Sequence, residues 1–301
     1  MDFSVRTDLA CESMGKKPFA ALRDACKEER IGGVLIHRMR VDTKELSEQT
    51  AKPMGQYITL ECGRLHELEG ESLHLLTELL AGELRGMSQR LSRKPVDAEF
   101  SILVAGLGNA ELTADAIGPK TVGMLTATRH LREYDGRLYR DLGCASLSAV
   151  APGVLGQTGI ETIELLRGAV RYVSPDVVLV IDALAARSCR RLASTVQISD
   201  AGICPGSGVG NHRCAITKES LGVPVIALGV PTVVDSATLV YDALEQAGVE
   251  EMEPSLQQVL ENGTSFFVSP KESDVITKRV SEILSRAIGL GFCGDLISEM
   301  S

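Results

Sequence analysis

The stretch Val177-Val178-Leu179-Val180-Ile181-Asp182-Ala183-Leu184-Ala185-Ala186-Arg187 decides how this chain is read. Five consecutive aliphatic residues predict a strand buried on both faces of a sheet. The run ends on a carboxylate, where an aliphatic residue would cost less. An unpaired charge is expensive to bury, so Asp182 must be paired, hydrogen-bonded, protonated or functional. A salt bridge to Arg187 is the plain alternative. Phe100-Ser101-Ile102-Leu103-Val104-Ala105 repeats the design: a strand, a turn at Gly106-Leu107-Gly108-Asn109, then Asp115 ahead of a helix. Asp115 could simply cap that helix. Together, two acids past the carboxyl ends of neighbouring parallel strands predict a carboxylate pair in one crevice, where open α/β sheets place their ligands.

Outward from these strands the rhythm is strand, turn, helix. Short strands are expected over 33–40 and 57–61. A helix is expected over 66–91, with Leu68, Leu73, Leu76, Leu79, Leu80 and Leu84 on one side. Helices over 119–131, 160–172, 236–247 and 271–288 alternate with strands over 146–150, 195–199 and 223–229. This alternation predicts an α/β fold, a mostly parallel sheet with helices on both faces. No repeat or low-complexity linker divides the 301 residues, so one domain is expected. Asp235 sits at a strand-to-helix junction and is read as a helix cap.

Composition narrows the function. A net charge of −9 with scattered basic residues argues against nucleic acid as a partner, and 4% aromatic residues leave few platforms for stacking bases. The longest apolar run, about 223–234, is broken by Pro224, Gly229 and Pro231, so no membrane span is expected. Met1-Asp2-Phe3-Ser4 lacks the apolar core of a secretory signal. Eight cysteines without a Cys-x-x-Cys pair read as reduced thiols.

Several motifs fail on inspection. Gly106-Leu107-Gly108-Asn109 lacks the third glycine of a dinucleotide fingerprint, since position 111 is Glu. Pro205-Gly206-Ser207-Gly208-Val209-Gly210-Asn211 lacks the Lys of a phosphate-binding loop. It is either a surface loop or a set of amides that grips an extended peptide. No Gly-x-Ser-x-Gly elbow is present. The five histidines form no zinc motif, although His212 could join Asp115 and Asp182 at a metal. No cofactor and no resident metal are expected.

Several segments in order resemble the germination proteases of endospore-forming bacteria. These are Ser4-Val5-Arg6-Thr7-Asp8-Leu9-Ala10, Gly106 to Asn109 with Thr113, Asp115 and Gly118-Pro119, and Pro152 to Gly159. Ile181 to Arg187, Gln197-Ile198-Ser199-Asp200, Pro205 to Asn211 and Leu221 to Asp235 follow. The Gly-x-Gly-Asn…Asp arrangement is also similar to that of hydrogenase maturation proteases, which implies their fold. The resemblance implies an aspartic endopeptidase that initiates degradation of small acid-soluble spore proteins in the spore core, a cytoplasmic compartment. It carries the catalytic role onto Asp115 and Asp182, and implies a homotetramer made as an inactive zymogen. Self-cleavage is expected between Asp8 and Leu9, because the family cuts between an acid and a hydrophobic residue followed by Ala. Residues 1–8 would then be a short propeptide and 9–301 the catalytic domain. Val5 stands where substrates usually carry an acid, and the stretch between the helix at Ser236 and Ser269 is abbreviated. Loop amides at Gly106, Gly108, Asn109, Gly206, Gly208 and Gly210 are candidates to hold substrate or oxyanion. Two other readings stay open at this point: a metal-assisted protease with both acids as ligands, and a non-catalytic protein that clamps a peptide.

Overall fold

The computed structural model describes residues 7–13, 25–206, 214–249, 253–262 and 266–294. Among these, nine strands form a single mixed sheet: β1 (Cys26–Ile31), β2 (Val34–Val41), β3 (Gly55–Glu61), β4 (Ser101–Gly106), β5 (Ser146–Val150), β6 (Val177–Ala186), β7 (Thr195–Ser199), β8 (Val225–Asp235) and β9 (Phe267–Val268). Their order is β1-β2-β3-β7-β8-β6-β4-β5, with β9 paired to β8. The expected parallel core is β5-β4-β6-β8. From β8 outward, β7, β3, β2 and β1 continue the sheet antiparallel.

Alternation along each strand sends one set of side chains to each face. On the first face Ile102 and Val104 of β4, Leu179 and Ile181 of β6, Val196 and Ile198 of β7, and Ile226 and Leu228 of β8 share one core. Two long helices cover it: α1 (Gly70–Ser92), through Leu76, Leu80 and Leu84, and α5 (Ser273–Cys293), through Val280, Leu284 and Ile288. These residues recur every three or four positions, and each fully buried one contributes about 1.5–3 kcal/mol. On the second face Leu103 and Ala105 of β4 and Val178 and Val180 of β6 pack on Ile163 and Leu166 of α3 (Thr162–Val173). A reciprocal capping box between Glu161 and Glu164 starts α3.

Three differences from expectation bear on the site. First, β6 does not end at Asp182. β8 runs beside it from Val225 to Asp235, so register pairs carry β6 on to Ala186. Pro231 fits within β8 because the register shifts between Leu184 and Ala185. Second, the helix expected over 119–131 is broken. α2 (Ile117–Gly123) stops early, and Thr128 turns inward to donate from its hydroxyl to the Ala145 carbonyl at 2.6 Å. Third, β1 was not anticipated. Lys27-Glu28-Glu29-Arg30 is wholly charged, which is what a solvent-facing edge strand requires. Asp235 behaves as predicted, accepting from the amides of Ala237 (3.0 Å) and Thr238 (3.1 Å) at the start of α4 (Ser236–Gln246).

Candidate active site

The last β4–β6 pair is Gly106 with Ile181, so Asp182 is the first β6 residue past the end of β4. Its side chain shares the second face with Val178, Val180 and Leu184, beyond the part that α3 covers. It is 7% exposed, and its Oδ1 accepts from the Ala183 amide at 2.9 Å. Asp115 arrives by another route. After β4 the chain turns through Gly106-Leu107-Gly108-Asn109 and a short helical turn, Thr113–Asp115, before α2. Asp115 is not the helix cap that the sequence allowed: Ala116 stands at that position without a side-chain bond. Instead its Oδ2 accepts from the Asn109 amide at 2.7 Å, which folds the acid back onto the glycine turn.

That closure leaves no room for side chains. A Cβ at Gly108, where φ is +109°, would stand 1.9 Å from the Asp115 carbonyl oxygen. A Cβ at Gly118 would stand 2.2 Å from the Leu107 carbonyl oxygen and 2.7 Å from that of Ile181. Backbone is therefore in direct contact with backbone where the two acids are set. Asp115 and Asp182 line one cavity of about 1180 Å³, together with Asp8, Lys52, Gln197 and Gly206.

Thr7 and Asp8 line the same cavity, and the segment 7–13 continues from there. The Asp8 amide donates to the Ala185 carbonyl at 2.8 Å, and the Asp8 carboxylate accepts from the Ala185 amide at 2.8 Å. Leu9 is fully buried with Leu184, Ala186 and Val234, and Ala10 is fully buried with Met39, Val41 and Tyr57. The segment thus lies across the strands from β6 toward β2 and β3. Gln197 bridges the Asp8–Leu9 bond. Its Nε2 donates to the Asp8 carbonyl oxygen at 3.1 Å, and its Oε1 accepts from the Ala10 amide at 2.7 Å. Lys52 Nζ donates to the Thr7 carbonyl at 2.7 Å. Burial pulls the Lys52 ammonium below the ordinary lysine range, while Asp8 and Glu12 act to keep it charged. Glu12 has a side chain only 4% exposed, and accepts from the amides of Arg187 (2.7 Å) and Ser188 (3.0 Å), with Arg191 Nε at 3.3 Å.

The family model described as germination protease matches residues 16–249. The chain belongs to the germination protease family. A germination protease from Caldanaerobacter subterraneus subsp. tengcongensis is 40% identical, over 95% of this chain and 93% of its own length. One from Clostridium acetobutylicum is 37% identical over 95% and 94%. One from Priestia megaterium is 44% identical over 81% of this chain and 67% of its own. A NiFe hydrogenase maturation protease from Thermococcus kodakarensis is structurally similar at a TM-score of 0.31 and 16% identity, covering 64% of this chain and 93% of its own. The chain is thus a peptidase of the aspartic type, and its expected family is the observed one.

In this germination protease the predicted residues divide clearly. Asp8, Gly108, Asp115, Asp182 and Gly206 line the cavity, and Leu9 lies buried beside it. Gly106 does not belong to the lining. A Cβ there would meet the Gly118 carbonyl oxygen at 2.2 Å. The Asn109 amide donates to Asp115 at 2.7 Å. Gly208, Gly210 and His212 lie outside the described residues. Among the described residues no cluster of three or more His, Cys, Asp or Glu side chains could hold a metal ion, and no helix is long and apolar enough to cross a membrane. None of the eight cysteines forms a disulfide. Sequence reasoning missed Lys52, Gln197 and Arg191. Gln197 had two signals: it opens the family-like segment Gln197-Ile198-Ser199-Asp200, and it is a polar residue on a strand that runs through the middle of the sheet.

Proposed function

We propose that this chain initiates the degradation of small acid-soluble spore proteins, cutting after Asp or Glu and before a hydrophobic residue followed by Ala. Asp115 and Asp182 are the water-activating pair. One observation carries the reading: in a segment of that pattern, Asp8-Leu9-Ala10, Asp8 lines the cavity that both acids line, and the buried Ala10 is bonded to Gln197 of the same lining. On this reading the two carboxylates act as a close pair that resists double ionisation, so one keeps a proton while the other accepts one. The ionised acid takes a proton from water as the oxygen attacks the carbonyl carbon. The protonated acid then supplies the proton that the departing amine needs when the C–N bond breaks.

The same chemistry applied in cis removes residues 1–8 by cutting between Asp8 and Leu9, leaving 9–301 as the catalytic domain. On this reading the chain is made in the developing spore as a homotetrameric zymogen and works in the spore core. Family membership supports that part.

Purified chain incubated with a small acid-soluble spore protein, with products read by mass spectrometry, tests the proposal. A cut between an acidic and a hydrophobic residue is expected, undiminished by excess chelator. Complex formation without products would instead support a peptide clamp. Activity lost to chelator and restored by added metal would support a metal-assisted protease.

A further inference from the structure

We infer that Gln197 is the residue that holds the bond to be cut, donating to its carbonyl oxygen as negative charge develops there. The inference rests on the proposed function, read so that the Asp8–Leu9 bond at the cavity wall is docked as a substrate's would be.

The argument begins in the sheet. Gln197 of β7 pairs with Gly229 of β8, and Gly229 pairs with Asp182 of β6. Residues in one register row send side chains to the same face, so Asp182 and Gln197 look into the cavity from opposite sides of Gly229. At roughly 4.8 Å per strand their Cα atoms stand about 10 Å apart. Gly229 stands in the middle of the row without a side chain, and the neighbouring Leu184 fills that space, 2.5 Å from where a Cβ would be.

The two ends of the Gln197 amide then do different things. The Nε2 donor contacts the Asp8 carbonyl oxygen, the oxygen that becomes an oxyanion when water adds to that carbon. The Oε1 acceptor contacts the Ala10 amide, two residues downstream, and so fixes the register of the peptide. A primary amide offers a donor and an acceptor side by side. Gln197 is 7% exposed, and it is fixed on a strand paired on both sides, with β3 through Thr59 and with β8 through Gly229. The donor is thus preorganised in a water-poor site, where it is worth most. It supplies the contact that the glycine-turn amide of Asn109, committed to Asp115, does not.

The test pairs an enzyme substitution with a substrate substitution. A peptide copying residues 4–13 is compared with one whose Leu–Ala amide is an ester, which deletes the N–H that Gln197 accepts. Wild-type enzyme should cleave the ester peptide about tenfold less efficiently, the cost of one hydrogen bond. Gln197→Met should cleave the amide peptide with kcat reduced about 10²–10³-fold, the usual loss on removing an oxyanion donor. It should also treat the two peptides alike, because the partner of that N–H is gone. A merely structural role would lower both rates and leave their ratio as in wild type. Should Gln197→Met fail to fold, Gln197→Asn, whose amide is one methylene short, is measured for the same ratio. Wild-type kcat in the variant, or an ester penalty that persists in it, overturns the assignment and leaves the protease reading standing. Wild-type enzyme that cleaves neither peptide overturns both.

Discussion

Replacing Asp115 by Asn changes one atom and removes one charge, and the structure sets the size of both consequences. The Asp115 carboxylate holds the Asn109 amide at 2.7 Å. A hydrogen bond to a charged acceptor is worth about 1.5–3 kcal/mol and a neutral one about 1, so Asn, which keeps an acceptor oxygen, should cost about 1 kcal/mol. For a domain of this size that lowers Tm by about 2–4 °C. The chemical cost is far larger. A side chain acting in general acid–base catalysis contributes about 10²–10⁴-fold, and an amide can neither take nor give the proton. Asp115→Asn should therefore process its own N-terminus at least about 10³-fold more slowly while remaining folded, and Asp182→Asn should match it. Intact-mass spectra of the full chain over time give the processing rate, and a thermal melt of the same sample gives the stability. Processing within about tenfold of wild type in either variant would refute the pair. A Tm drop much beyond a few degrees would show that the acids act through the fold rather than through chemistry.

Gly118→Ala should destabilise by about 1–3 kcal/mol in urea unfolding, because its Cβ meets two backbone carbonyl oxygens that no rotamer change can move. Arg191→Met should weaken docking of residues 7–13 by about 1–3 kcal/mol, since Glu12 loses its charged partner while keeping two amides; faster hydrogen exchange in that segment would register it. Stability should also depend on pH through His37 and Glu61, which pair at 2.6 Å. Hydrogen bonding to Cys26 and Glu61 raises His37 from 6.5 to about 9, so its contribution is complete below 6.5 and is lost as pH rises through 9. Burial pushes Glu61 up, but hydrogen bonds from His37 and Arg191 overcome it and hold the acid at about 2, so its contribution is present above 4.5 and lost as pH falls through 2. Glu61→Gln should flatten both limbs of a stability–pH curve, and unchanged curvature would show that the pair contributes nothing.

The two acids were legible because each is anomalous within its own element. Asp182 interrupts an aliphatic run, and a charge in a buried strand demands a reason that stays visible without coordinates. Asp115 follows a glycine turn that only close backbone packing explains, and Gly118 confirms that packing from the other side. The parallel core was legible for the same reason, since its strands are continuous apolar runs. The antiparallel arm was harder to see because its edge strand, Cys26–Ile31, is charged along its length as edges must be.

The residues that hold the peptide were hidden by being ordinary. Thr195-Val196-Gln197-Ile198-Ser199 alternates polar with apolar, the pattern of a strand with one face in water. All five residues are buried. The cover over Gln197 is residues 8–10 of the same chain, 187 positions away at Ala10, and no window of local periodicity spans that distance. Alternation reports that a face is polar; it does not report what the polar groups face. When a strand with an alternating pattern lies in the interior of a sheet, as register pairs on both sides of β7 show, its polar face must meet another polar object or strand its hydrogen-bonding groups. In a peptidase the object with the right donors and acceptors is a peptide backbone. Gln197, with one of each, is matched to it on physical grounds before any assay is run.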